Sequence, residues 1–468
     1  MRTSRIRGLL PGLFFTALLS GLVGGCAQSG PYQTTATSSQ ASVKTLADRP
    51  AASTPCYQPA RAGPNGDPVP APASVSTQPA PSTCVRFIEF DDFGNLFNRG
   101  QMQETLDAAL AVATRGGIVV VYIHGWDHNA ASNDTDLINF HQAIQSARTI
   151  DGQFSSRRDV LGIYIGWRGQ SVTIPLLSKL TFWERKTTAQ TVGDGAVFEV
   201  LRKLANYREQ NVKSRLVLIG HSFGAAIAYS AVSHSITAQI IEDGWKPSNG
   251  STLNQKKRWD MVVLINPAFE AMQLRSQLAL AMTQQYPSNQ LPHLILITSV
   301  ADWATGLTFP VGRYLRSVLN SYAGDARRSM YAKAVGHYLP YVTHQLADVD
   351  SCSQYRPTAR SAGAPDKLSV VFDEKNFCFD DARAWIAGSD KKPAPVRPVL
   401  LTRCEAEPDC RRVAPKHTIS APAGMPIVNI RTTRAVMTGH NDIWNPTMRA
   451  FLVQLMIKIV ERGEQPAR

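Results

Sequence analysis

Residues Arg215-Leu216-Val217-Leu218-Ile219-Gly220-His221-Ser222-Phe223-Gly224-Ala225-Ala226 constrain the fold of this chain more than any other stretch. Leu216 to Ile219 is a short apolar and β-branched run, too brief for a helix by itself, and it reads as a buried strand of a parallel sheet. Gly-His-Ser-Phe-Gly follows without a spacer, and Ala225-Ala226-Ile227-Ala228-Tyr229 then suits a helix packed close to that sheet. Strand, sharp turn and helix in this order put the serine on a strained backbone, so its neighbours must lack bulk; Gly220 and Gly224 supply that. Ser222 is therefore expected to stand above the sheet edge with Oγ exposed and the amides of a helix N-terminus beside it. The plainer alternative is a Gly/Ser loop between two elements.

A serine alone performs no acyl chemistry, so the remaining text is read for a base, an acid and hydrogen-bond donors. Upstream, Cys84 to Phe90 reads as a strand and 98–114 as a helix with Met102, Leu106, Leu110 and Ala113 on one face, stopped by Gly116-Gly117. Ile118 to Ile123 is a second buried strand that runs into His124-Gly125-Trp126-Asp127-His128-Asn129-Ala130. This text resembles the H-G motif that serine α/β-hydrolases carry after a central strand, which implies that the amides of Trp126 and Phe223 are the donors placed where negative charge develops in a transition state, the oxyanion pair. His124, Gly125 and His128 are assigned to the substrate pocket. Metal ligation by His124, Asp127 and His128 is the alternative, but their irregular loop spacing beside the serine motif argues against it, and no metal is expected. Asn129, Asp134 and Asp136 are expected to order the loop or cap a helix over 137–147. Val160 to Ile165 is another strand; 170–192 is apolar without a clean period and reads as a cap, or alternatively as a surface helix, before a helix over 193–209.

Downstream, Met261 to Ile265 and His293 to Thr298 are strands, and the second ends near Asp302, where an acid that orients an imidazole is expected. Glu270, one strand earlier, is the rival. Trp303 joins Trp126, Phe223 and Trp183 as candidate lining of an apolar acyl pocket. The base is sought among His337, His344 and His440; His440 lies in a loop between a strand at 425–431 and an amphipathic helix over 448–460, which yields the order Ser–Asp–His.

The two ends and the cysteines speak to location. Arg2, Arg5 and Arg7 precede an apolar run too short to span a bilayer comfortably, and Leu22-Val23-Gly24-Gly25-Cys26 resembles the lipobox of bacterial lipoproteins, in which the cysteine is acylated and becomes the mature N-terminus. A plain secretory signal is the alternative. Residues 1–25 are thus a signal peptide, Cys26 a lipidation site, and Ala27 after it resembles outer-membrane sorting, which implies a cell-envelope protein held to the membrane by a lipid anchor. Residues 26–83 are rich in Ser, Thr, Ala and Pro and read as a flexible tether that holds the body off the membrane. An even set of six further cysteines in an exported chain suggests disulfides, and sequence proximity favours Cys56–Cys84, Cys352–Cys378 and Cys404–Cys410. Residues 346–424 read as an insertion stapled by two of these bridges within a single body spanning 84–468. The formal charge of +13 raises nucleic acid as a partner, but the Lys and Arg residues are scattered and form no aromatic-interleaved stripe, so none is expected.

Together, His124 to Ala130, Gly220 to Gly224, Thr298 to Thr305 and Gly439 to Ile443 resemble bacterial serine esterase/lipase-like members of the α/β-hydrolase superfamily. The resemblance covers roughly 85–345 and 425–462, with the tether and the insertion outside it. It implies an α/β fold with a mostly parallel central sheet and helices on both faces. It also implies hydrolysis of hydrophobic or lipid-like esters by Ser222, His440 and Asp302 without metal or organic cofactor. Acyl transfer by the same site, and a surface lipoprotein that keeps the fold as a binding module, are the alternatives.

Overall fold

The computed structural model describes residues 30–34, 56–57, 61–62, 68–69, 83–154, 158–167, 189, 191–244, 258–286, 290–310, 324–353, 376–379, 397–404, 410, 413 and 424–462. Its centre is one ten-stranded sheet. The strands in chain order are β1 (Thr83–Glu89), β2 (Ile118–Ile123), β3 (Val160–Gly166), β4 (Arg215–His221), β5 (Met261–Ile265), β6 (Leu294–Ser299), β7 (His344–Asp348), β8 (Asn376–Phe379), β9 (Val399–Arg403) and β10 (Ile427–Thr432). Across the sheet they lie in the order β8-β9-β7-β10-β6-β5-β4-β2-β3-β1. Every pairing from β7 to β1 is parallel, and β9 and β8 extend the β7 edge antiparallel.

The apolar strands are buried on both faces because helices cover both. On one face lie α1 (Arg99–Thr114), α3 (Ala196–Gln210), α4 (Phe223–Gly244) and α5 (Ala271–Thr283), packed on Val119, Val121 and Ile123 of β2. On the other, α2 (Thr135–Phe154) and α7 (Pro446–Arg462) pack on Ile118, Val120 and Tyr122. Alternate residues of one strand thus serve two cores, as the pleat requires. A shorter helix, α6 (Asp325–Ala332), packs against α5. The chain steps from β1 to β2 and back to β3, then crosses to β4 on the opposite side of β2. That reversal opens a crevice at the carboxyl ends of β2 and β4, where open α/β sheets place their ligands.

The three disulfides pair Cys56–Cys84, Cys352–Cys378 and Cys404–Cys410 as expected. Two expectations change. The insertion contributes β8 and β9 to the main sheet, and its expected start at 346 falls inside β7. The text His-Gln-Leu-Ala-Asp has no β period, so β7 exists through pairing with β10 and β9 rather than by local preference. The expected free tether docks at two places: Tyr57 is buried against Phe87 and His141 and bonded to Val85 O, and residues 32–34 bond to the body. Within the remainder, Arg61–Ala62 pairs with Pro68–Val69. Most of the expected cap at 170–192, including Trp183, lies outside the described residues; its end, Ala189 and Val192, is buried in the core above β2. The leader and Cys26 also lie outside them, and among the described residues no helix is long and apolar enough to cross a membrane.

Cys352–Cys378 spans 26 residues and ties β8 to the end of β7, a closure that stabilises by about 3 kcal/mol in the chain-entropy account. The double substitution Cys352→Ala/Cys378→Ala is expected to strip hydrogen-exchange protection from β8 and β9 first. Amides of β4 should remain protected in the same experiment.

Candidate active site

Ser222 sits where β4 turns into α4, with a φ of 56°, a left-handed value that costs an L-residue roughly 1 kcal/mol. The surroundings hold it there. Its amide donates to Ile265 O (3.0 Å), and its carbonyl accepts from Ala268 N (3.1 Å) and Ala226 N (3.3 Å). The turn leaves no space for side chains on either side: a Cβ on Gly220 would lie 2.7 Å from Ala225 Cα, and one on Gly224 would fall onto the carbonyl oxygens of Ile123 and His124. The end of β2 and the start of α4 therefore touch backbone to backbone. A Cβ on Gly125 would lie 2.6 Å from His221 Nδ1 and 3.0 Å from Ser222 Cβ, so the His124–Ala130 loop passes directly over the serine.

His440 and Asp302 meet Ser222 from two other loops. Asp302 can only accept, which sets the tautomer: His440 Nδ1–H donates to Asp302 Oδ1 (2.8 Å), and Ser222 Oγ–H donates to His440 Nε2 (2.7 Å). All three side chains are buried, so Ser222 is not exposed as its place on the turn led one to expect; the Gly125 loop and His440 cover it. Such an array can move the serine proton to an imidazole whose other nitrogen is anchored on a carboxylate. No protein-family model and no curated protein matches this chain.

Asp302 is held well below the usual carboxylate range: burial opposes its charge, but the charge of His440, the hydrogen bond from it and the nearby His337 ring outweigh burial. It also receives Thr305 N (3.1 Å) and the Thr305 hydroxyl, at the start of the π-helical turn Ala304–Thr308. Glu270, the rival acid, instead lies at the N-terminus of α5, bonded to Gln273 and bridged to Ala334. His337 stands behind the acid, its Nε2 3.1 Å from Thr305 Oγ1 and 4.0 Å from Asp302 Oδ2. His344 is buried in β7 beside Thr343 Oγ1 (2.9 Å), away from this array.

Several contributors were not singled out from the sequence. The backbone carbonyl of His440 accepts from His221 Nε2 (2.9 Å) and Asn266 Nδ2 (2.8 Å). Asn266 itself has φ 45° and accepts from Ser299 N (3.0 Å), while Ser299 Oγ donates to Met437 O (2.6 Å). These polar side chains at the ends of β4, β5 and β6 clamp the loop that carries His440. Their signal in the text was a polar residue directly after a fully apolar strand, where water would otherwise be needed.

The histidines assigned to the pocket are structural. His124 is fully buried, its ring stacked on both Tyr164 and Trp167. Its Nδ1–H donates to Gly125 O (2.9 Å), and its Nε2 accepts from Trp167 N (3.1 Å), which leaves no ring atom for a substrate. Burial pushes its pKa down to about 4. His128 bonds Asp134 (3.2 Å) and lies 4.0 Å from Asp136, which is held by Tyr122 OH and Trp444 Nε1. Burial opposes its charge, yet the charge of Asp136 and the bond and charge of Asp134 raise it to about 9. Asp134 also receives the amides of Asn129 (3.1 Å) and Asp136 (2.8 Å), so it orders the loop as expected. Trp126 is half-buried against the core; Trp303 is exposed at the rim. Among the described residues no group of three or more His, Cys, Asp or Glu converges as a metal site.

His128 has a raised folded pKa, so its stabilisation is complete below the unfolded value of 6.5 and is lost as pH rises through about 9. The ceiling on that contribution is about 3 kcal/mol. His128→Gln is expected to lower the Tm markedly at pH 6 and far less at pH 10, each compared with the parent chain at the same pH. An equal loss at both values would contradict a charged His128.

Proposed function

We propose that this chain is an α/β-hydrolase-type serine hydrolase that cleaves carboxylic esters, hydrophobic or lipid-like ones in particular. The observation that carries the reading is the continuous contact Ser222 Oγ–His440 Nε2 (2.7 Å) and His440 Nδ1–Asp302 Oδ1 (2.8 Å) at the switch point of a parallel sheet. In this mechanism His440 takes the Ser222 proton as Oγ attacks the acyl carbonyl. The amide of Phe223, in the first turn of α4, and the amide of Trp126 hold the developing oxyanion. The protonated His440 then gives its proton to the leaving alkoxide, and water, deprotonated by the same ring, releases the acyl group. Asp302, held ionised, keeps the ring oriented and steadies the imidazolium. Acyl transfer needs only an alcohol in place of water. A non-catalytic binding module would tolerate a disrupted site, and the close polar contacts weigh against it.

We further propose that Cys26 is acylated and that the protein resides at the bacterial cell envelope, at the outer membrane by the residue that follows Cys26. Chain lacking residues 1–26 should hydrolyse short p-nitrophenyl esters, and Ser222→Ala or His440→Ala should reduce kcat by roughly 10³-fold or more. Asp302→Asn should approach the same loss, whereas Glu270→Gln should keep most of the activity. A fluorophosphonate should label Ser222 alone on peptide mapping. Inertness of parent and variants alike toward all chain lengths, with no labelling, would overturn the hydrolase reading, and product analysis with a competing alcohol separates hydrolysis from transfer.

A further inference from the structure

We infer that the segment just after Cys26 is a latch that holds the lipid anchor close to the carboxyl-end edge of the sheet, where Ser222 lies, so that the esters this site meets are presented by a lipid surface. This rests on the hydrolase and lipid-anchor readings above, and it adds an orientation to them.

The latch is specific. The successive amides of Tyr32 and Gln33 donate to the two carboxylate oxygens of Glu89 (2.7 and 2.8 Å). The Gln33 side chain donates to Ala130 O (2.7 Å) and Ser132 Oγ (3.1 Å), and Thr34 Oγ1 accepts from Asn98 Nδ2 (3.1 Å). Glu89 is the last residue of β1, and the registers Glu89↔Gly166, Ile165↔Ile123 and Ile123↔Gly220 put it at the same sheet edge as Ser222. Three strand spacings separate β1 from β4, about 14 Å. Ala130 and Ser132 follow in the same loop as Gly125, which lies against Ser222.

Chain length converts this contact into a position. From Cys26 to Gly30 the backbone reaches at most about 14 Å; with the stretch from Gly30 to Glu89 and the distance across the sheet added, Cys26 lies within roughly 45 Å of Ser222. A free linker from 26 to 83 would instead allow about 190 Å and any orientation. Exposed apolar side chains flank this sheet edge on both sides of the serine's strand. On the β1 side Phe93, in the turn after β1, is 75% exposed and Phe198, in the first turn of α3, is 50% exposed; the two elements are joined by Ala196 N donating to Gly94 O (2.9 Å). On the β6 side Trp303 is 52% and Leu307 65% exposed. Large exposed apolar side chains on an edge to which a short lipid-bearing segment is fastened suit the interfacial zone of a bilayer, where they leave water at little cost.

The test uses the full chain, acylated in its bacterial host and reconstituted on vesicles of phosphatidylcholine and phosphatidylglycerol. Leu307→Cys carries an environment-sensitive fluorophore; the six other cysteines of the mature body are paired in disulfides. The fluorophore should shift to the blue and be quenched by lipid-borne quenchers. Both effects should fall at least threefold when a flexible Gly/Ser spacer of about 20 residues is inserted between Ser29 and Gly30. The spacer should also lower the ratio of vesicle-ester to soluble-ester hydrolysis about fivefold or more, with soluble p-nitrophenyl butyrate turnover unchanged. A fluorophore that remains in water, or a quenching and a ratio that ignore the spacer, would overturn the inference. Absence of any ester turnover would sink the hydrolase reading while the fluorophore still decides the orientation. An unacylated Cys26 by mass spectrometry would overturn the orientation and leave the ester chemistry standing.

Discussion

The contact on which the rest depends is the backbone-to-backbone meeting of the end of β2 with the start of α4. Gly224 lies against the carbonyls of Ile123 and His124, and Gly125 lies against His221 and Ser222, with no space for a Cβ at either place. Close approach is possible only because three glycines flank the crossing, and it occurs where strand order reverses. Once the two backbones touch, the serine must take its left-handed φ and the following loop must run over it. The helix α4 then begins at Phe223, the residue after the serine. Backbone strain at Ser222 is thus balanced by packing that no single side chain provides.

Around that crossing, one residue type is put to opposite uses by its surroundings. His124 and His221 are both driven toward the neutral form by burial, His124 between two aromatic rings and His221 beside His440 and His128. His128, a few residues away, keeps its charge because Asp136 and Asp134 face it. Neutral His221 can donate to the His440 carbonyl without repelling a proton that arrives on the neighbouring ring. Charged His128 ties the loop to α2 through the Asp134 and Asp136 carboxylates. The two charges have separate holders: the ionised Asp302 stands behind His440, and His128 is paired with Asp134 and Asp136.

The long N-terminal segment illustrates how composition can mislead. Ser, Thr, Ala and Pro cannot build a core, and much of 26–83 has no apolar side chain to bury. Yet Glu89, buried at an edge strand, needs donors, and the amides of Tyr32 and Gln33 meet that need. Tyr57 is inserted beside a disulfide in the same way. A stretch that looks like linker is drawn to the body by what the body lacks.

How much was legible follows from where each signal resides. The strand–turn–helix around Ser222, the buried strands β2 to β6 and the order of Ser222, Asp302 and His440 were readable because each rests on local text: apolar runs, flanking glycines and a polar residue after a strand. The cysteine pairing was readable from proximity along the chain, since each bridge closes a short loop. The roles of His124 and His128, the clamp of Asn266 and Ser299 on the His440 loop, and strands β7 to β9 were not. Each depends on partners tens to hundreds of residues away, which a periodicity cannot register. The sequence by itself determined that one serine stands on a tight turn at a sheet edge. Only the tertiary structure decided which imidazole and which carboxylate reach it, because that choice belongs to strand order and loop packing rather than to spacing along the chain.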